Sequence, residues 1–68
     1  MDIERVEGTR QECITLLERL ASESAFNDRT LTQEAKAAVE FLHKGADCVY
    51  AGDIEYQVVE PTDPEIRL

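Results

Sequence analysis

The chain predicts a mainly all-α fold, a two-helix antiparallel hairpin that homodimerises into a four-helix arrangement and carries a short, extended, acidic C-terminal arm. Three observations predict it. Ile3, Val6, Arg10, Cys13, Leu17, Leu20 and Ser24 follow an alternating spacing of three and four residues, which places them on one face of a helix. Leu31, Ala35, Ala38, Val39, Leu42, Ala46, Val49 and Tyr50 repeat the same periodicity. Between the two runs stands Asn27-Asp28, whose side chains bond the local backbone and favour a turn.

The first helix is expected over residues 2–25. Asp2 can serve as its N-cap, and the pairs Asp2–Arg5 and Glu7–Arg10 are spaced to meet on a helix surface. Gly8 objects to that start, because a mid-helix glycine costs about 1 kcal/mol relative to alanine. Thr9 with Glu12 offers a capping box that would begin the helix later. The second helix is expected over residues 31–51, with Thr30 and Gln33 as a capping box and Gly52 as a left-handed stop. A competing arrangement ends this helix at Gly45 and folds residues 48–50 and 54–58 into a hairpin across Ala51-Gly52-Asp53. Residues 53–59 alternate in the manner of a strand, and Pro61 and Pro64 hold residues 61–68 out of regular structure as a flexible acidic tail. Residues 1–60 are thus read as a single small domain.

A chain of 68 residues buries only roughly 60% of the surface it exposes when unfolded, so association is a natural route to stability. The expected dimer or helix-packing interface comprises Ile3, Val6, Cys13, Leu17, Leu20, Leu31, Ala35, Ala38, Val39, Leu42, Ala46 and Val49. Arg10 interrupts this seam. A polar residue there can fix the register of a helical interface, but the simpler reading sends its stem along the surface to solvent.

Composition narrows the partner. Fifteen acidic against seven basic residues give a net charge of −8, which disfavours direct binding to nucleic acid or an anionic membrane and suits a basic protein surface. Residues 47–68 hold six acids and only Arg67, so the negative charge gathers toward the C-terminus. No apolar stretch reads as a secretory signal or a membrane span, and the expected location is cytoplasmic. Cys13 and Cys48 are expected as reduced, packed thiols, with a disulfide as the alternative.

Catalytic and metal chemistry find little support. His43, Cys48 and Cys13 are candidate zinc ligands by type, yet positions 43 and 48 lie about 140° apart around a helix and no fourth ligand has a motif. Glu40 and Asp47 flank His43, but a nucleophile and a shaped pocket are missing. No cofactor or metal is expected and the chain is read as a non-enzyme. The expected function is a small acidic regulator or inhibitor that occludes a surface of a larger protein, of the sort frequent among phage and mobile-element accessory proteins. Candidate partner-binding residues are Leu16, Phe26, Phe41, Tyr50, Ile54, Tyr56, Val58, Asp53, Glu55 and Glu60, with the strand at 54–58 able to join a partner's sheet. The alternative is a nucleic-acid mimic that blocks a DNA- or RNA-binding groove, which requires a lattice of carboxylates on one face.

Overall fold

A computed structural model describes residues 3–59, and Asp2, Glu60 and the expected tail at 61–68 lie outside the described residues. The expected all-α hairpin is corrected. The chain forms an α+β fold in the order β1 (Glu4–Gly8), α1 (Arg10–Ser24), α2 (Arg29–His43), β2 (Cys48–Ala51) and β3 (Ile54–Val58). The strands make a three-stranded sheet in the order β1-β3-β2, with β1 parallel to β3 and β2 antiparallel to it. Both helices pack on one face of this sheet, and the four-helix dimer proposed from the seam has no long first helix to build on.

The first correction falls at Gly8. Residues 4–8 are a strand, and the helix begins after Thr9, whose Oγ1 accepts from the Glu12 N–H while Glu12 Oε1 accepts from the Thr9 N–H. The capping box therefore prevails over the Asp2 start. Arg5 and Arg10 find partners elsewhere: Arg5 pairs with Glu55 at 3.5 Å and Arg10 with Asp47 at 2.7 Å.

The turn between the helices is bonded as its composition suggests. Asp28 is the N-cap of α2, its Oδ1 accepting from the Leu31 N–H at 3.0 Å, so Thr30 lies inside the helix and the expected Thr30–Gln33 box does not form the cap. Beneath the turn, the buried hydroxyls of Ser24 and Thr32 share a 2.6 Å hydrogen bond, and the carbonyls of Ala21 and Asp28 lie within hydrogen-bond reach of them.

The second helix stops at His43 and not at Ala51, as the competing hairpin arrangement requires. Gly45 adopts φ 110°, and the Ala46 N–H donates back to Phe41 O while the Gly45 N–H donates to Leu42 O. That double bond pattern is a Schellman motif, which closes a helix through a left-handed residue. Arg10 fastens this end: its guanidinium donates to Leu42 O at 2.8 Å, to Ala46 O at 2.6 Å and to Asp47 Oδ1. The residue that interrupted the seam thus joins the start of α1 to the end of α2. Its positive charge sits where the carbonyls of α2 point outward, the favoured place for a cation.

The core lies between the helices and the inner sheet face. Cys13, Ile14, Leu17 and Ala21 of α1 meet Ala35, Ala38 and Leu42 of α2 above Val49, Ala51 and Tyr56 of the sheet. Val6, Tyr56 and Val49 stand side by side across the three strands. Val6, Leu20, Leu31, Val39, Ala46, Ile54 and Val58 pack around this centre half-buried. Small alanines on α2 let it approach the sheet closely.

Candidate protein-interaction site

A surface with two exposed aromatic rings, Phe41 and Tyr50, is formed where α2 meets the outer strand β2. On α2, Glu34, Ala37, Ala38 and Phe41 are spaced along one flank. The Gly45 turn reverses the chain and lays Ala46, Cys48, Val49 and Tyr50 beside that flank. Together they line an open groove of about 450 Å3. Phe41 and Tyr50 stand at its rim, 54% and 57% exposed, so its walls include rings that the fold itself does not cover.

Among the described residues no strand pairs with the outer edge of the strand at this groove. Along the β2–β3 ladder, the Val58 N–H donates to Asp47 O at 2.8 Å, which makes 47 and 58 a bonded pair. Bonded and non-bonded pairs alternate in antiparallel sheets, so Val49 with Tyr56 and Ala51 with Ile54 are bonded, while the N–H and C=O of Cys48 and Tyr50 point away from β3. Such groups are open to an added strand. The hairpin that presents them is held by Glu34, whose Oε1 accepts from the Gly52 N–H at 2.7 Å. Gly52 has φ 62°, and a Cβ there would lie 2.9 Å from Leu31 Cδ1.

On the outer sheet face, Glu55 lies between Arg5 and the β2 side chains Cys48 and Tyr50. Its Oε2 accepts from the Cys48 thiol at 3.2 Å. This hydrogen bond to the carboxylate is the main reason the Cys48 thiol is pushed above its ordinary range, and the charge of Glu55 pushes the Tyr50 hydroxyl up as well. Both groups thus hold their protons more firmly, which works against a thiolate nucleophile at Cys48. Cys13 is buried, and its thiol is raised chiefly by burial. Both cysteines are free thiols.

The residues expected to bind a partner are dispersed. Phe41 and Tyr50 meet at the groove. Leu16 lies on α1, 39% exposed, and Phe26 is 97% exposed at the turn between the helices. Tyr56 is only 4% exposed, and Ile54, Tyr56 and Val58 belong to the central strand, paired on both sides, so strand 54–58 has no edge to offer a partner's sheet. Glu55 faces outward from that strand, Asp53 sits in the hairpin turn, and Glu60 lies outside the described residues. Of the expected packing residues, Cys13, Leu17, Ala35, Ala38, Leu42 and Val49 are buried within the single chain, whereas Ile3 is exposed. Ala37, which lines the groove, is not among the residues expected from the sequence. Its signal was its place three residues after Glu34 and four before Phe41, on the same flank of α2.

A second surface gathers charge. Glu4, Asp28, Glu34 and Asp53 line a cleft of about 660 Å3 with Leu20, Leu31 and Ile54, and no Lys or Arg is among its lining residues. Two of these carboxylates are engaged, Asp28 in capping α2 and Glu34 in holding Gly52. Among the described residues no group of three or more His, Cys, Asp and Glu side chains could hold a metal ion. No helix among them is long and apolar enough to cross a membrane. No protein-family model matches the chain, and neither the curated proteins nor the solved structures searched contain a match to it.

Proposed function

We propose that the protein is a non-enzymatic interaction module that regulates or inhibits a larger protein by binding and occluding part of its surface. The observation that carries this reading is the groove between α2 and β2, where exposed Phe41 and Tyr50 flank a strand with an open edge. An extended segment of the partner adds to the backbone of Cys48 and Tyr50, its side chains alternating between Phe41 on the helix side and Tyr50 on the outer sheet face. β2 has only four residues, so the ladder supplies register and the aromatic rim supplies most of the affinity. Glu34, which lines the groove and has no cation paired with it among the described residues, favours a partner segment carrying a basic residue.

The test is retention of proteins from an extract of the source cells by the immobilised chain, compared with Phe41→Asp and Tyr50→Asp. Both substitutions should abolish retention of the specific partner, while Phe26→Ser, at the far end of the helices, should leave it intact. Undiminished retention by Phe41→Asp would remove the groove from consideration.

A second reading, nucleic-acid mimicry, is favoured by the acidic cleft of Glu4, Asp28, Glu34 and Asp53. It predicts that binding collapses steeply between low and moderate salt, whereas a groove dominated by aromatic contacts changes little.

A further inference from the structure

We propose that β1 pairs with β1 of a second copy, antiparallel about a two-fold axis at Val6, to give one continuous six-stranded sheet. The backbone geometry fixes which groups are available. Glu4 N–H donates to Asp53 O at 3.1 Å and Val59 N–H donates to Gly8 O at 2.7 Å, so Glu4, Val6 and Gly8 are the residues of β1 bonded to β3. The N–H and C=O of Arg5 and Glu7 therefore point to the opposite side, where no described strand lies.

The side chains on that edge are complementary to themselves. With the axis at Val6, Arg5 of one copy stands directly across from Glu7 of the other in a bonded pair, and Glu7 across from Arg5, all on the outer face. Shifting the pairing by two residues in either direction loses this match, setting Arg5 opposite Arg5 or Glu7 opposite Glu7. Glu7 pairs with no cation among the described residues, whose ion pairs are Arg5–Glu55 and Arg10–Asp47. In the dimer Arg5 bridges Glu55 of its own chain and Glu7 of the second copy.

The helices fit the same axis. Cys13 Sγ lies 3.9 Å from Gly8 O, and Leu20 shares a cleft with Glu4, so α1 runs back along β1 with Leu16 level with Val6. Leu16 is on the flank of α1 opposite Glu18, Ala21 and Ala25, the residues that border α2. Because α1 touches both β1 and β3, it sits about one strand spacing, roughly 5 Å, from the axis. Its symmetry mate is then about 10 Å away, the separation of packed helices, with Leu16 against Leu16 over the Val6 pair. Exposed Leu16 and half-buried Val6 both become covered.

The experiment is solution mass by light scattering across a concentration series, with helicity recorded on the same samples. The chain as it stands should move from monomer to dimer with concentration. Glu7→Arg and Arg5→Glu should each raise the dissociation constant on the order of tenfold or more, because like charges then face each other. Mixing the two variants should restore association, since each supplies what the other lacks. If the Arg5 variant loses helicity, Leu16→Asp, on an exposed helix flank, replaces it and should weaken the dimer. Phe41→Asp should leave the dimer unchanged, which separates this edge from the groove on β2. A chain that stays monomeric up to about millimolar concentration, or a mixture that associates no better than its components, overturns the proposal.

Discussion

The two outer strands of the sheet present the same unpaired backbone and dissimilar surroundings. β1 exposes Arg5 and Glu7 on its outer face, opposite in sign, with Val6 turned beneath α1 and Glu4 at the acidic cleft. β2 exposes Cys48 and Tyr50 beside Phe41, with an apolar hollow between strand and helix. An edge whose charges complement their own mirror order selects a copy of itself, whereas an edge flanked by aromatic rings accepts diverse apolar side chains. Backbone availability is thus common to both edges, and the flanking side chains decide which partner each one favours.

Substitutions that separate the edges from the strand they share test that division. The largest effect is expected at Tyr56, which stands between Val6 and Val49 and is buried beneath the helices. Tyr56→Ala should cost about 3–5 kcal/mol in denaturant unfolding and disable both edges together. Arg10→Ala should cost about 2 kcal/mol, since it leaves the Leu42 and Ala46 carbonyls without their charged donor and loosens the corner joining α1 to the β2 side. Gly52→Ala should cost about 1–2 kcal/mol, from the left-handed φ and the approach to Leu31, and weaken binding at β2 while sparing self-association. Glu7→Arg and Phe41→Asp should each change stability by less than about 0.5 kcal/mol, so that their effects on association are read without unfolding.

Alkaline pH sharpens the comparison further. Cys13, Cys48, Tyr50 and Tyr56 all have raised pKa values in the fold, so the native chain retains protons that the unfolded chain releases. Stability from these groups is complete below their ordinary values, 9.0 for the thiols and 10.0 for the phenols, and is lost as pH rises through the shifted ones. Thermal unfolding followed by circular dichroism should show a falling midpoint above about pH 9. Cys48→Ala should reduce that fall by removing the thiol that bonds Glu55.

Much of the helical layer was legible in the sequence because its signals are local. The Thr9–Glu12 box and the turn at Asn27-Asp28 involve neighbours a few positions apart, and so, in the sheet, does the alternation of residues 54–58. β1 was not legible. Its sequence, ERVEG, turns one apolar side chain inward, so it lacks a period-two signal, while Ile3 and Val6 happen to continue the spacing of α1. The partner that makes it a strand lies at residues 54–58, beyond the reach of any local pattern. The end of α2 was obscured likewise: Ala46, Val49 and Tyr50 keep helical spacing, and only the left-handed conformation at Gly45 breaks it. The groove was half legible. Phe41 and Tyr50 stand out in the sequence, but their meeting depends on that same reversal, and the alanines that floor the hollow look like ordinary helix formers.

Parallel pairing of β1 with β3 joins the beginning of the described chain to its end. That contact joins segments far apart in the sequence, so its formation is expected to be slow beside that of the local pairs. The helical pair and the β2–β3 hairpin can form first, from nearby residues. During synthesis β1 emerges before residues 54–58, the strand that pairs with it in the fold.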